Sequence, residues 1–493
     1  SSGSDPQELV VANGRLYFAA QQAATGRELW SSDGTVAGTT MVRDLRAGSS
    51  GVAPRQLVVS GSRVFFVGDL ATSDAELFVS DGTAAGTKLV LDLRPGGSGS
   101  SITELTRCGA GVIFRADDGV HGIEPHFSDG TAAGTRLLAD IEPGPATSNP
   151  REFACGANGV VLFAASRIDL GNEPWRSDGT VAGTTLLADL APGTSSSFPT
   201  GFTAALGAVV FAASTNVGSE PWLSDGTTAG TRLVKDAVAG SWSSAPANFA
   251  PAWSGMVYRA SDGSTGAEPW FSDGSAAGTR VIADCNLPQG DGDPKALTVL
   301  GSRVVFTADD NAIGRELWAS DGTPNGTTLV RDVLTGPSSS SIDELVSWRG
   351  ALWFGGYGGD GSGEELWRSD GTNAGTQRVA DIRPGVNGSY PFGLVVANDR
   401  LFFTADAGLG NEPFVSDGTA AGTVSLGDLN PNGSSYPEEW TAAAGLAFFA
   451  AYTPAHGTEL WASDGTAAGT RMVMDLNAGV ATSQPQGFCA FGN

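Results

Sequence analysis

Short apolar runs separated by polar turns recur along the whole chain at the spacing of strands. In the first stretch, residues 8–11 form a short apolar run closed by Asn13-Gly14, and residues 15–20 form a second, nearly continuous one. Asn-Gly between apolar runs is a strong hairpin signal. Residues 28–32 and 39–45 complete four predicted strands within a stretch of about 48 residues, which is the content of one propeller blade. Runs apolar on both faces, such as Val304-Val305-Phe306 and Leu401-Phe402-Phe403, predict sheets covered on both sides. The longest connector, residues 44–54, is echoed around Pro143, Pro192, Pro384 and Pro431. Crossing a four-stranded sheet takes roughly 15 Å at about 4.8 Å per strand. The long connector is therefore the return from the outermost to the innermost strand, and residues 8–11 are innermost. No sustained helical periodicity of apolar positions is found.

The third strand and the turn after it carry a phrase that returns ten times, Glu-Leu/Pro-aromatic-x-Ser-Asp-Gly-Thr-x-x-Gly-Thr, from residues 28–39 to residues 459–470. Its aspartates are Asp33, Asp81, Asp129, Asp178, Asp225, Asp273, Asp321, Asp370, Asp417 and Asp464, a period of 47 to 49 residues. Such a period means a propeller blade or a solenoid coil. The aspartate is expected to accept backbone N–H bonds in the turn, and the two glycines to supply positive φ. The aromatic two residues after each glutamate (Trp30, Phe78, Trp175, Trp222, Trp270, Trp318, Trp367, Phe414, Trp461, with His126 as the exception) is expected to wedge between blades.

The expected fold is all-β, one ten-bladed β-propeller of four-stranded antiparallel blades over residues 1–493. No hinge interrupts the array, since residues 237–246 between repeats five and six match the other linkers. Two five-bladed propellers are the alternative, and an open superhelix a third. Residues 483–493 look like a surplus copy of the first strand, matching residues 4–14. Either one terminal copy completes the seam and the other lies over it, or the surplus edge pairs with a second molecule.

The phrase resembles the ELWxxDGT repeat family of bacterial proteins, and the match covers essentially the whole chain. The resemblance implies a propeller-like fold and an extracellular or cell-surface location, and almost nothing about activity. Five copies carry Glu-Pro (Glu124, Glu173, Glu220, Glu268, Glu412) and one has Ser275 for threonine. Proline there suggests that the position after the glutamate donates no ladder hydrogen bond.

The net charge of −25 follows from the repeat. The motif glutamate, the turn aspartate and an aspartate ending the fourth strand supply 30 of the 53 acids, and the rest are slightly outnumbered by 28 Lys and Arg. Without clustered positive charge, nucleic acid and anionic membrane are unsuited partners. No apolar run is long enough for a transmembrane helix. The chain opens on Ser-Ser-Gly, which fits a trimmed N-terminus such as a removed export signal leaves, or an arbitrary cut. Cys108 and Cys155 lie one repeat apart and could meet in a disulfide or remain free buried thiols, whereas Cys285 and Cys489 suggest no pairing.

Candidate chemistry is sparse. Three histidines and no Ser-His-Asp, HExxH, Gly-x-Ser-x-Gly or P-loop pattern argue against an enzyme. Calcium needs six to eight oxygens, and the candidate ligands are Asp117, Asp118 and Glu124, Asp262 and Glu268, and Asp309, Asp310 and Glu316. Asp360 before Glu365 belongs to the same pattern. The bland alternative is solvated loop acids, with the glutamates bonding backbone N–H groups. His121 and His126 are a weaker transition-metal pair. Connector aromatics Trp242, Tyr390, Phe392, Tyr436 and Trp440 are candidates for stacking on a sugar or anchoring a partner. The expected function is a non-catalytic extracellular scaffold at the bacterial surface that binds an unidentified protein or glycan. A calcium-dependent lectin or adhesin is the first alternative, and a subunit of an extracellular assembly, associating through the terminal strand, the second.

Overall fold

The structure, a computed structural model, describes residues 4–72, 74–287 and 290–476. The surplus copy at 483–493 and Cys489 lie outside them. The chain is all-β, a propeller of ten four-stranded antiparallel blades at residues 7–41, 55–91, 103–137, 151–186, 200–233, 247–281, 295–331, 346–378, 392–425 and 438–474, numbered 1 to 10 below. In every blade the strands follow one another in chain order. One 3-10 turn, Pro324–Gly326, is the only helical element among the described residues.

The chain divides into two compact units. Blades 1, 2, 9 and 10 form one with Trp353–Arg368 of blade 8, and blades 3 to 7 form the other with Ser369–Thr376. A split into blades 1–5 and 6–10 is therefore not how the chain folds. The first unit draws on both ends of the sequence, and its seam repeats the contacts made between consecutive blades. The outer-strand Arg232 donates to the Gly274 carbonyl of the next blade's turn at 2.5 Å, Arg280 to Gly322 at 2.5 Å, and Arg471 of blade 10 to Gly34 of blade 1 at 2.5 Å. Leu16, Phe18 and Trp30 of blade 1 share a buried cluster with Phe448, Leu460 and Val473 of blade 10. The N-terminal copy of the first strand, Gln7–Ala12, is thus the one that completes blade 1 and its seam.

Each blade is held by its middle strands. In blade 1 the second strand is Arg15–Gln22, and Leu16 to Ala20 are buried on both faces. The motif aromatic enters the layer between blades: Trp30 in the cluster just named, Trp175 with Ile113 and Leu138 of blade 3, and Trp270 with Val210 and Leu223 of blade 5. The fourth strand is shorter than its apolar run predicts. In blade 1 it is Thr40–Met41, because after the Val42 N–H bonds the Leu29 carbonyl, the N–H groups of Leu45 and Arg46 turn to the Glu28 carboxylate. Four-residue outer strands occur at Lys88–Leu91, Thr328–Arg331 and Arg471–Met474. All three follow Glu-Leu, where Leu77, Leu317 and Leu460 pair with Leu91, Arg331 and Met474. The position after the glutamate enters the ladder in these three blades; after Leu29 and Leu366, as after the five prolines, the outer strand keeps two residues.

The turn glycines have two different jobs. Gly34 has φ +85°, as an Asp-Gly turn requires, but Gly38 does not adopt positive φ. A Cβ on Gly38 would sit 2.0 Å from the Asp33 carboxylate, and on Gly183 2.0 Å from that of Asp178. The second glycine therefore makes room for the aspartate, whose Oδ1 accepts the N–H of the residue two ahead (Thr35 at 2.9 Å, Thr180 at 2.9 Å) and its hydroxyl. Gly183→Ala is expected to expel Asp178 from these bonds and cost about 1–2 kcal/mol, read as a lower urea midpoint at unchanged m value. A midpoint equal to wild type would show that the carboxylate relaxes freely.

Candidate functional site: the linker face

The motif glutamates fold the linkers. Each lies on the third strand, fully or almost fully buried, and reaches the linker that leaves its own blade. Glu124 accepts the N–H of Ile141 at 3.1 Å, of Glu142 at 3.4 Å and of Ser148 at 2.9 Å, together with the Ser148 hydroxyl at 2.6 Å. Glu173 holds Leu190 and Ser197 in the same way, Glu220 holds Ala237 and Ser244, and Glu412 holds Leu429 and Ser435. At the seam Ser4 takes this part, its N–H 2.7 Å from Glu459 and its hydroxyl bonded to the same carboxylate. Burial pushes Glu28, Glu124, Glu268, Glu316 and Glu459 up to about 7, against the hydrogen bonds that favour the charged form.

The linker is also pressed against the glycine that starts the third strand. A Cβ on Gly171 (φ +73°) would lie 2.0 Å from the Ser195 carbonyl oxygen. Between this glycine and the buried serine the linker has no freedom, and the residue after the serine takes positive φ: 44° at Phe198, 49° at Tyr390 and 46° at Tyr436. These three occupy one tripeptide, Ser-aromatic-Pro, at 197–199, 389–391 and 435–437. Their side chains are 58%, 49% and 58% exposed, and Trp242, two residues before Ser244, is 75% exposed. A bulky residue at positive φ is unusual, and the serine, proline and glycine around it hold it there. In the second unit, a cleft of about 340 Å³ opens between Ala191, Pro192, Ser195 and Ser196 of the linker and Ser214, Thr215 and Asn216 of blade 5. Phe198 follows two residues after its edge.

The predicted site residues separate. Tyr390 and Tyr436 stand exposed on linkers of the first unit and Trp242 on a linker of the second, and Phe392 is 38% exposed at the start of its strand. Trp440 does not: its ring stacks on Phe449 at 4.3 Å and its indole N–H donates to Thr404 at 2.9 Å. Phe198 escaped the sequence reading, although the shared Ser-aromatic-Pro pattern marks it. Among the calcium candidates, Glu124, Glu268 and Glu316 are buried acceptors of linker N–H groups, Glu268 from Cys285 and Gly292 and Glu316 from Val333. Among the aspartates, the carboxylates of Asp117, Asp118, Asp262, Asp310 and Asp360 bond within their own loops. Asp118 accepts the N–H groups of Val120 and His121 and pairs with the His121 ring at 2.6 Å, and Asp262 accepts from Ser264 and Thr265. Asp117 takes the Gly119 N–H and Asp310 the Ala312 N–H, while Asp309 gives its own N–H to the Gly292 carbonyl. Asp360 bonds Ser362. Among the described residues no three His, Cys, Asp or Glu side chains gather as a metal site. His126 is buried and its Nδ1 meets the Glu124 carbonyl at 3.0 Å, whereas the His121–Asp118 pair is half-buried. Among the described residues no helix is long and apolar enough to cross a membrane.

No family model matches the chain, and no curated protein matches it. Solved structures do. A crystal structure of puromycin hydrolase aligns at 14% identity and TM-score 0.32, over 72% of this chain and 59% of its own. The β-propeller domain of the Trilobed protease from Pyrococcus furiosus aligns at 9% identity and TM-score 0.33, over 87% and 99%. A puromycin-hydrolyzing peptidase of Mycobacterium tuberculosis aligns at 11% identity and TM-score 0.34, over 88% and 60%. The chain thus spans about 59% of the length of the puromycin hydrolase. These neighbours correct the functional expectation. They are peptidases or a domain of one, a class that the expected non-catalytic surface scaffold, with the calcium-dependent lectin and the assembly subunit behind it, left out; at 9 to 14% identity the likeness carries nothing beyond the propeller fold. The physical reason for the misreading is that a motif copied into every blade reports how a blade is built and leaves its use open.

Proposed function

We propose that this propeller binds extended polypeptide through the exposed aromatic residues of its linkers. The supporting observation is the pair of exposed aromatics that the repeat holds in place in the first unit, Tyr390 and Tyr436 after their buried serines, with Phe198 held in the same way within the second. A rigid aromatic side chain loses little entropy on binding and offers both an apolar face and, in tyrosine, a hydroxyl. An extended peptide supplies apolar side chains and free backbone groups that suit such a surface. The structural likeness, at TM-scores of 0.30 to 0.34, carries no part of this reading; it names the class to test first.

The test is fluorescence anisotropy with labelled carboxymethylated casein as an unstructured polypeptide. Wild type is expected to bind, and the double variant Tyr390→Ala/Tyr436→Ala to bind at least about tenfold more weakly, with an unchanged melting temperature. Absent binding, or equal binding by wild type and variant, would overturn the proposal.

A further inference from the structure

Cys108 ends the first strand of blade 3, Thr103–Cys108, and Cys155 ends the first strand of blade 4, Arg151–Cys155. The two strands run side by side within one compact unit, pinned by the Glu104 carboxylate, which accepts the Glu152 N–H at 3.1 Å. This register brings the sulfurs of the two cysteines to 3.6 Å. Cys108 is buried and its thiol also faces the Gly159 carbonyl at 3.7 Å, whereas Cys155 is partly exposed. Both share a buried cluster with Ile113, Val161 and Phe163. Cys285, in contrast, is buried in the layer between blades 6 and 7.

We propose that Cys108 and Cys155 are a redox-active dithiol that closes to a disulfide between the innermost strands of blades 3 and 4 by exchange with a low-molecular-weight disulfide. Sulfurs at 3.6 Å need to approach by about 1.5 Å to reach the bond length of about 2.05 Å. Neighbouring strands already aligned by Glu104 leave that to side-chain rotation. The two thiols are not equivalent. The two thiols share a hydrogen bond, and Cys155 lies near the Gly109 N–H and Arg107, which together bring it down to about 6, while the Cys108 thiol is held up by the shared hydrogen bond and by burial. The partly exposed Cys155 is the member whose thiol is eased toward the thiolate, and thiolates are the attacking species.

With glutathione disulfide as the oxidant, the Cys155 thiolate attacks one of its sulfurs. A Cys155–glutathione bond forms, and the first glutathione leaves as a thiolate and is protonated. Cys108 then gives its proton to solvent and its sulfur attacks Cys155 Sγ, forming the Cys108–Cys155 bond and expelling the second glutathione. The second glutathione also leaves as a thiolate and is protonated; counted from the dithiol, whose Cys155 proton goes to solvent before the attack, the protein loses two electrons and two protons, and one glutathione disulfide becomes two glutathione molecules. The product covalently closes the 46 residues between the cysteines, restricting the unfolded chain.

The full chain is equilibrated with glutathione disulfide and glutathione at graded ratios, quenched in acid, alkylated and mapped without reduction. The expected result is a cross-linked peptide joining Cys108 to Cys155, reversed by dithiothreitol, with Cys285 alkylated throughout. The oxidised chain should melt about 5 °C above the reduced one. Cys108→Ser should stop at the mixed disulfide on Cys155, and Cys155→Ser should take up glutathione at position 108 at least about tenfold more slowly. Recovery of both wild-type thiols as alkylated peptides at every ratio, or a mixed disulfide that never resolves, would overturn the proposal. Should a serine variant fail to fold, the wild-type map decides alone.

Discussion

Glu124→Ala is expected to lower the stability of this protein by about 3–5 kcal/mol, through one side chain in a chain that carries ten copies of it. The truncation leaves the N–H groups of Ile141 and Ser148 and the Ser148 hydroxyl without their acceptor, in a place where the serine is fully buried. A buried donor left unmade costs its whole desolvation, about 1–3 kcal/mol each, which outweighs the modest net value of a formed bond. Glu124→Gln should fall between, since the amide keeps one acceptor oxygen and turns an NH2 group toward donors. Ser148→Ala removes one bond and its hydroxyl together, and should cost about 1 kcal/mol. Urea titrations at a single pH would rank the three. The ranking should be identical with and without a chelator if Glu124 serves the linker, and a chelator-dependent loss would return it to the calcium set. Equal midpoints for wild type and Glu124→Ala would refute the linker role.

How far this could be read before the coordinates depends on whether a residue acts alone or through its repeat. The four strands of each blade follow from local pattern, and a signal like Asn13-Gly14 between apolar runs is complete within a few residues. The blade seam was legible only as an ambiguity, because two terminal copies of the first strand compete for one place and only coordinates show Ser4 bonded to Glu459. The second turn glycine was misread because sequence cannot separate a glycine needed for its φ from one needed for space. The acids before the glutamates resembled a cation site in composition, yet composition does not reveal that Glu268 spends its oxygens on Cys285 and Gly292. Trp440 and Tyr436 lie four residues apart and looked equivalent. One is stacked on Phe449 and the other exposed, because Tyr436 occupies the outward position after Ser435 while Trp440 lies within a strand. Function was least legible, since the loudest motif is spent on construction.

Raising the pH from about 4.5 to about 7.5 is expected to destabilise the protein, by on the order of 5 kcal/mol in all and about 5 °C or more in Tm. The motif glutamates cause it. Glu28, Glu124, Glu268, Glu316 and Glu459 are held at about 7 in the fold, chiefly by burial and in part by the linker or fourth-strand aspartate beside several of them, such as Asp44 near Glu28 and Asp332 near Glu316. Glu173, Glu220, Glu365 and Glu412 are raised for the same reason. A carboxyl that holds its proton more tightly folded than unfolded stabilises the fold below the unfolded value, near 4.5, and that contribution is lost as pH rises through about 7. The turn aspartates act in the opposite sense. Asp33, Asp225 and Asp321 are lowered by the hydroxyl and N–H of the threonine two ahead, so their contribution is present above about 4 and fades as acid protonates them in the fold. The two sets bracket a stability maximum near pH 4–5, an acidic optimum that the growing negative charge toward −25 reinforces on its alkaline side. Tm measured by differential scanning calorimetry at half-unit pH steps in high and low salt would separate the causes, because added salt screens the general repulsion but leaves buried carboxyls unscreened. A Tm that holds level or climbs between pH 5 and pH 7.5 in high salt would mean that the hydrogen bonds to each of these glutamates outweigh its burial, and that the nine carboxylates are charged anchors throughout.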